Sequence, residues 1–278
     1  MVDVFASIDR GILVEDPYPH LVVENALPGE VADTLLAAMP PVHVFLRGHE
    51  PGSNVRFALP SPQAFDHPDI SAEWKEALRV CVAGLPPVLE RTLSRFGVYM
   101  RRTYPDFERK FGPVSGLRAA PRHAPGRQPH EVGMDAQMVI NTPALSGGTS
   151  VRGPHLDLPD KLISGLLYLR SPGEDSVGGE LQLYAPTTRR LTFGDMNLAS
   201  GDSVRVVRTY PYRHNLLVLP FCSPVAVHGV SPRGQTSNPR YHLHLVGEMA
   251  APLFDVPQPT RTQQMWTRVR RRLLQPAN

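Results

Sequence analysis

The sequence predicts an α+β protein in which a helical N-terminal region supports a jelly-roll core of short β-strands. Two stretches in the first half carry apolar residues at helical spacing, whereas eight short apolar and β-branched runs between residues 137 and 246 are separated by glycine, proline and asparagine. The 278 residues, 41% hydrophobic and 20% charged, suffice for a sizeable core. Short strands at this spacing are typical of a sandwich or jelly-roll barrel, which encloses a pocket in its mouth.

The N-terminal region, residues 1–136, is expected to support the core as part of the same domain. It begins with a predicted strand at 20–24 (HLVVE) and an amphipathic helix over 28–39, which Pro40 ends. Ser71 is a candidate N-cap for a second helix, which Pro86 and Pro87 interrupt before a further helix runs to Gly97. Residues 112–133, rich in proline, glycine and arginine without an apolar period, predict a surface loop or a mobile lid.

The core, residues 137–250, is predicted from runs that alternate with turn residues. The predicted strands lie at 137–141, 150–157, 164–170, 179–185, 203–207, 215–221, 223–230 and 240–246. Residues 251–278 complete the chain with a predicted basic helix from Arg261 onwards, whose arginines we assign to solvent.

Composition argues against several classes of partner. The formal charge of +3 is spread along the chain, which predicts no nucleic-acid partner, and no apolar run approaches the roughly 18–20 residues that span a bilayer. The N-terminus lacks a basic start followed by an apolar segment, so we expect a cytoplasmic protein without a membrane partner. Cys81 and Cys222 are expected to be buried free thiols.

The most informative motif is His155-Leu-Asp157, followed by a distal His228. Residues at i and i+2 of a strand share a face, so His155 and Asp157 are expected to project into one cavity. Two imidazoles and one carboxylate with open positions opposite them are the ligand set of non-haem Fe(II) oxygenases. The sequence therefore predicts an iron site formed by His155, Asp157 and His228, which are also the candidate catalytic residues.

The chain contains a second His-x-Asp, and its context differs. His67-Pro68-Asp69 has a central proline that disfavours a strand, so we assign it to a turn. The motif at His155 is followed by a hairpin containing Gly178 and Gly179 and by His228, 71 residues after Asp157. Arg240, 12 residues beyond His228, begins a strand and offers a guanidinium for a bidentate pair with a carboxylate.

Residues 137–246 resemble the Fe(II)- and 2-oxoglutarate-dependent dioxygenases, nearest to the prolyl-4-hydroxylase-like group. The resemblance rests on His155 and Asp157, the GG hairpin, His228-Gly-Val-Ser-Pro232 and Arg240. It implies a double-stranded β-helix (jelly-roll, cupin-like) core, Fe(II) at the three ligands, and 2-oxoglutarate and O2 as cosubstrates. The turn before Arg240 is longer than usual in the family, and Arg233 is the alternative partner for the 2-oxoglutarate carboxylate.

Other residues are candidates for subsidiary roles. His244 shares a strand face with Arg240 and is expected to bind the cosubstrate, as are Asn141 or Thr142, for which strand-end capping is an equal alternative. Arg152 and Tyr168 are possible substrate-pocket residues, with a surface and a core position as their respective alternatives. His242-Leu-His244 could instead form a cupin-type metal pair.

The implied reaction is hydroxylation of an unactivated C–H bond, with release of succinate and CO2. Asp157 argues against halogenation, because related halogenases carry a small residue there, while desaturation, epoxidation and cyclisation stay open. The expected substrate is a small molecule, an amino acid or a peptide-like compound. A non-oxidative cupin-like binding protein and a metal-dependent hydrolase are the rival functions, and the sequence does not indicate the oligomeric state.

Overall fold

The computed structural model describes residues 3–189 and 191–258. The helix predicted from Arg261 lies outside the described residues. None of the helices in the described part is long and apolar enough to cross a membrane.

Within the described ranges, six α-helices precede the core, and all of them contribute residues to the apolar cluster on one face of its main sheet. They are α1 Gly29–Ala37, α2 Val42–Leu46, α3 Ser61–Asp66, α4 Ala72–Ala83, α5 Leu85–Thr103 and α6 Phe107–Phe111. Ser71 caps α4 as predicted, because its side chain accepts a hydrogen bond from the Trp74 amide. The prolines predicted to interrupt this region occupy the first turn of α5, where a missing N–H costs nothing.

In the part of the chain that the structure describes, eleven strands form two sheets, which are antiparallel apart from one parallel pair. The strands are β1 Ile12–Val14, β2 His20–Glu24, β3 Arg56–Leu59, β4 Arg118–Pro121, β5 Glu131–Asn141, β6 Lys161–Leu169, β7 Leu181–Pro186, β8 Val204–Tyr210, β9 Leu216–Pro220, β10 His228–Val230 and β11 Arg240–Glu248. The main sheet has the order β1-β2-β9-β6-β11-β5-β3, with β4 also paired to β5, and the smaller sheet has the order β10-β7-β8.

The two faces of the main sheet have different partners. Buried residues of β5, β6 and β11 such as Met138, Leu167 and Leu243 join the large apolar cluster formed with the helices. The opposite face packs through Tyr168 and Val218 against residues of β7 and leaves a cavity between the sheets. The predicted α+β class with a jelly-roll core is confirmed.

Several predicted elements differ from those observed. Residues 150–157 form bends and two isolated bridges at His155, because Gly153 and Pro154 interrupt regular pairing. Only His228–Val230 of the predicted 223–230 strand pairs. Residues 112–133, predicted as a loop, contain β4 and the start of β5, since the exposed edge of β5 recruits the small residues of β4. β5 therefore crosses the boundary drawn between residues 136 and 137.

Candidate metal centre

The backbones of His155 and His228 are joined directly. The His155 amide donates to the His228 carbonyl at 2.8 Å, and the His228 amide donates back at 3.0 Å. The two imidazole centroids consequently lie 4.3 Å apart. His228 stands at the start of β10 in the smaller sheet, whereas His155 lies in an irregular segment that its bridges to His228 and Leu198 hold in place.

Both imidazoles have a fixed tautomer. Nδ1 of His155 lies 2.8 Å from the Gly153 carbonyl, and Nδ1 of His228 lies 3.1 Å from the Ala226 carbonyl. A carbonyl only accepts, so each Nδ1 carries the proton and each Nε2 keeps a free lone pair. Burial lowers the pKa of both histidines, so at neutral pH both imidazoles are uncharged and their Nε2 atoms are able to bind a metal.

The carboxylate of Asp157 completes the cluster. Its Oδ1 accepts a hydrogen bond from Lys161 Nζ at 3.0 Å, whereas its buried Oδ2 has no hydrogen-bond partner and lies 3.8 Å from His228 Nε2. Burial alone would raise the pKa of Asp157, but Lys161 and then the two histidines lower it well below its usual value. The carboxylate is therefore ionised, oriented by Lys161, and left with one unsatisfied oxygen.

These observations fit a divalent metal ion. One candidate ligand atom from each of His155, Asp157 and His228 lies within 4.8 Å of the others, and within the described ranges this is the single such group of three or more. A buried oxygen without a partner is costly unless something binds it. Backbone carbonyls that hold the second nitrogen of each histidine are the outer contacts usual at metal sites.

The cluster opens into the cavity between the sheets, which has a volume of about 130 Å³. Its walls combine apolar residues with four cationic side chains, Arg56, Arg152, Lys161 and Arg240. Asp157 is the single carboxylate among the lining residues. The cavity thus suits anionic ligands.

Arg240 lines this cavity but is largely engaged by the protein. Nε and Nη2 bond the Ser176 hydroxyl at 3.1 and 2.8 Å, Nη2 also lies 3.2 Å from the Ser176 carbonyl, and Nη1 donates to the Gly179 carbonyl at 2.9 Å. The guanidinium also lies 4.4 Å from the ring centroid of Tyr212. These bonds commit four of its five N–H groups, so the expected bidentate pair is replaced by a fixed cation with one donor free.

Arg233, the alternative to Arg240, does not line the cavity. Its side chain is buried and donates to the carbonyls of Thr142 and Asn238. It shares the buried Glu174 carboxylate with Arg240, at 3.6 and 3.5 Å respectively. Arg233 therefore has a structural role.

The face of β11 that carries Arg240 also brings two histidines to the cavity. Nε2 of His242 is buried without a hydrogen-bond partner, and burial lowers the pKa of this histidine to about 3. Both ring nitrogens of His244 have partners, Ser164 Oγ at 3.0 Å and Arg56 Nη2 at 3.3 Å. The cupin-type metal pair is therefore not assembled, because His244 has no lone pair to offer.

The remaining predicted residues separate into two groups. Asn141, Arg152 and Tyr168 line the cavity, and Asn141 Oδ1 is buried without a partner. Thr142 does not reach it: its hydroxyl donates to the Gly52 carbonyl at 2.9 Å and accepts from the Val55 amide at 2.8 Å. These contacts agree with strand-end capping, the equal alternative for Thr142, and leave its hydroxyl engaged by backbone groups outside the cavity.

Several cavity residues were missed from the sequence, among them Lys161, Arg56 and Tyr212. Lys161 carried a weak signal, as one of three lysines in the chain and four residues after Asp157. Arg56 and Tyr212 carried none, because they reach the cavity only through the pairing of β3 and the connection between β8 and β9. Both cysteines are free and buried, as predicted.

Comparison with known proteins gives similarity in fold alone. No protein-family model and no curated protein matches the chain. Among solved structures, a prolyl hydroxylase from Trichoplax adhaerens, in complex with a hypoxia inducible factor peptide fragment, is 15% identical over 83% of both chains, with a TM-score of 0.48. A prolyl-4-hydroxylase from Pseudomonas putida is 14% identical over 83% of this chain and 92% of its own, with a TM-score of 0.42.

A 2OG-Fe(II) oxygenase family protein from Caulobacter crescentus is 13% identical over 92% of this chain and 90% of its own, with a TM-score of 0.44. These proteins are of the class that the sequence motifs resemble. Similarity this distant carries no argument about activity, since one fold hosts many chemistries. We therefore derive the chemistry from the residues of this chain.

Proposed function

We propose that this protein is an Fe(II)- and 2-oxoglutarate-dependent oxygenase that hydroxylates a C–H bond of a small or peptide-like substrate. The observation that carries the proposal is the buried Asp157 Oδ2, which has no partner and lies beside the free Nε2 lone pairs of His155 and His228. Two histidines and a carboxylate oxygen on one side of a cavity are the ligand set of non-haem Fe(II) oxygenases.

The iron would be held by His155, Asp157 and His228, and 2-oxoglutarate would bind in the cavity beside them. When bound, these two groups would supply the oxidising chemistry together with O2, one atom of which enters succinate as 2-oxoglutarate loses CO2 while the other enters the substrate as hydroxyl. The protein residues supply binding and orientation. Lys161 orients the ligand carboxylate, and the backbone carbonyls of Gly153 and Ala226 orient the two imidazoles.

The distal carboxylate of 2-oxoglutarate would pair with Arg240. Tyr168 and His242 would contact the same carboxylate beside the free N–H of Arg240, because they line the same end of the cavity. Tyr168 of β6 is paired opposite His242 of β11. Burial keeps Tyr168 protonated by raising its pKa, so its hydroxyl is a donor. Leu166, Leu181 and Val230 line the cavity with apolar surface that limits access of water.

The test is anaerobic addition of Fe(II) and 2-oxoglutarate. We expect a weak visible charge-transfer band that needs both additions and disappears in His155→Ala. His67→Ala, in the other His-x-Asp of the chain, is the matched control and should keep the band, since His67 lies in a turn after α3. A band absent from the wild type, or retained in His155→Ala, would sink the proposal.

Admission of O2 then separates the rival functions. An oxygenase releases succinate only when Fe(II), 2-oxoglutarate and O2 are all present, and a substrate raises the rate above the uncoupled background. A metal-dependent hydrolase would act without 2-oxoglutarate. A binding protein would give the band without succinate.

A further inference from the structure

The four cations of the cavity differ in how their charges are compensated. Lys161 pairs with Asp157, and Arg240 contacts the buried Glu174. Arg56 and Arg152 line the same cavity, and no carboxylate of the described residues lies within 4 Å of either. The two arginines repel each other, and although Arg56 is exposed to solvent and Asp157 attracts both, an anionic ligand in the cavity would relieve that repulsion.

Arg56 is positioned by a neutral group. It begins the edge strand β3 and its Nη2 lies 3.3 Å from Nδ1 of His244. Because guanidinium only donates, Nδ1 accepts, and the proton of His244 sits on Nε2 and points to Ser164 Oγ. Burial lowers the pKa of His244 well below its usual value, so the imidazole is neutral and brings no negative charge to Arg56, which the carboxylate of Asp157 attracts from beyond 4 Å.

Arg152 reaches the cavity from the segment that precedes His155. Its carbonyl accepts a hydrogen bond from the Val230 amide at 3.0 Å, which ties its backbone to β10. Its Nη2 donates to the Met196 carbonyl at 3.0 Å. Each arginine is thus held by a single neutral acceptor, with most of its N–H groups free.

The charge balance of the proposed active site leaves these two arginines over. Asp157, Glu174 and the two carboxylates of 2-oxoglutarate carry four negative charges, and the divalent metal, Lys161, Arg240 and the Arg233 that shares Glu174 already exceed them. Arg56 and Arg152 then remain as two positive charges at the cavity. Guanidinium groups bind planar and tetrahedral oxyanions through paired hydrogen bonds.

We propose that Arg56 and Arg152 bind an oxyanion on the primary substrate, a carboxylate or a phosphate ester. The enzyme would then act on an acid and reject its neutral amide. This inference rests on the proposed function, because the charge balance counts the metal and 2-oxoglutarate.

The experiment compares probes that differ in charge alone. N-benzoylglycine and N-benzoylglycinamide are titrated by calorimetry into the protein loaded with Mn(II) and N-oxalylglycine, an unreactive analogue of 2-oxoglutarate. We expect the acid to bind at least about tenfold more tightly than the amide, the ratio typical of a hydrogen bond to a charged group. Phenyl phosphate is titrated as a third probe. Whichever of N-benzoylglycine and phenyl phosphate binds more tightly shows whether the oxyanion is a carboxylate or a phosphate ester.

Variants of the two arginines test whether they are responsible for the preference for the acid over the amide. Arg56→Gln and Arg152→Gln should each reduce the preference for the acid about fivefold or more, and the double variant should abolish it. Arg56→Lys should keep part of it. Arg205→Gln is the matched control, because Arg205 is an exposed arginine of β8 outside the cavity.

Two outcomes would overturn the inference: equal binding of acid and amide, or a preference that survives in the double variant. Unfolding temperatures within a degree of the wild type establish that the variants are folded. Failure to bind N-oxalylglycine counts against the proposed function instead. The titration repeated without metal or analogue then shows whether the two arginines still select the anion.

Discussion

Replacing Lys161 with methionine would leave the carboxylate of Asp157 buried without the charge that faces it. The two side chains are each 11% exposed and their N–O distance is 3.0 Å. Removal of one partner from a buried ion pair costs about 3–5 kcal/mol, and because both groups retain slight exposure we expect about 3 kcal/mol. For a chain of this size that loss lowers the unfolding temperature by roughly 6–12 °C.

Two further measurements test the cause of this loss. Asp157→Asn combined with Lys161→Met removes both charges, and should recover most of the stability lost in the single variant. Mn(II) should reduce the difference in the free energy of unfolding between Lys161→Met and the wild type, because the metal supplies a positive charge next to Asp157.

The assay is urea unfolding followed by circular dichroism, with and without Mn(II). Lys110→Met is the control, since Lys110 is an exposed lysine of α6 and its loss should change the free energy of unfolding by less than about 0.5 kcal/mol. The reasoning is refuted if Lys161→Met is as stable as the wild type, or if the double variant is no more stable than Lys161→Met.

Three other predictions concern the cavity wall and a helix cap. Burial lowers the pKa of His242 to about 3. Below about pH 6.5 the unfolded chain therefore binds a proton at this residue that the folded protein does not bind. This difference lowers the free energy of unfolding by about 2 kcal/mol between pH 7 and 5. His242→Gln should reduce the acid sensitivity of urea unfolding by that amount, and an unchanged sensitivity contradicts the assignment. Gly148 and Gly179 both have a positive φ, +68° and +72°, but an added Cβ meets open space at Gly148 and overlaps Nη1 of Arg240 at Gly179. Gly179→Ala should therefore weaken the binding of N-oxalylglycine, measured by calorimetry, at least about tenfold. Gly148→Ala should keep the wild-type affinity and lower only the stability, by about 1 kcal/mol of backbone strain. Equal affinities of the two variants for N-oxalylglycine would show that Arg240 does not bind it. Ser71→Ala should cost about 1 kcal/mol in urea unfolding and Ser71→Asp almost nothing, and equal losses would exclude a capping role.

The parts of the fold that the sequence predicted are those set by local pattern. The helix from Ser71 has a capping side chain and an apolar stripe, and β9 and β11 are apolar runs between turn residues. The edge strand β4 was missed because its residues pair only where β5 exposes an edge, and that edge is defined by distant parts of the chain.

The candidate site shows the same division. His155, Asp157, His228 and Arg240 were predicted from spacing and context, although His155 and Asp157 share a cavity without belonging to a strand. Arg56 could not be predicted, because it lies about a hundred residues before His155 and faces the cavity only through the register of β3 on β5. The number of free N–H groups on Arg240 depends on the side chain and carbonyl of Ser176, and spacing along the chain contains no information about such contacts.

The pair of hydrogen bonds between the backbones of His155 and His228 links the metal centre to the folding of the whole chain. These residues are 73 positions apart, and the chain between them contains β6 to β9. Closing a contact of such separation costs loop entropy, which the folded strands between the two residues must offset. Metal affinity therefore depends on the integrity of β6 to β9, and a variant that loosens these strands should bind metal more weakly even though it leaves all three ligands in place.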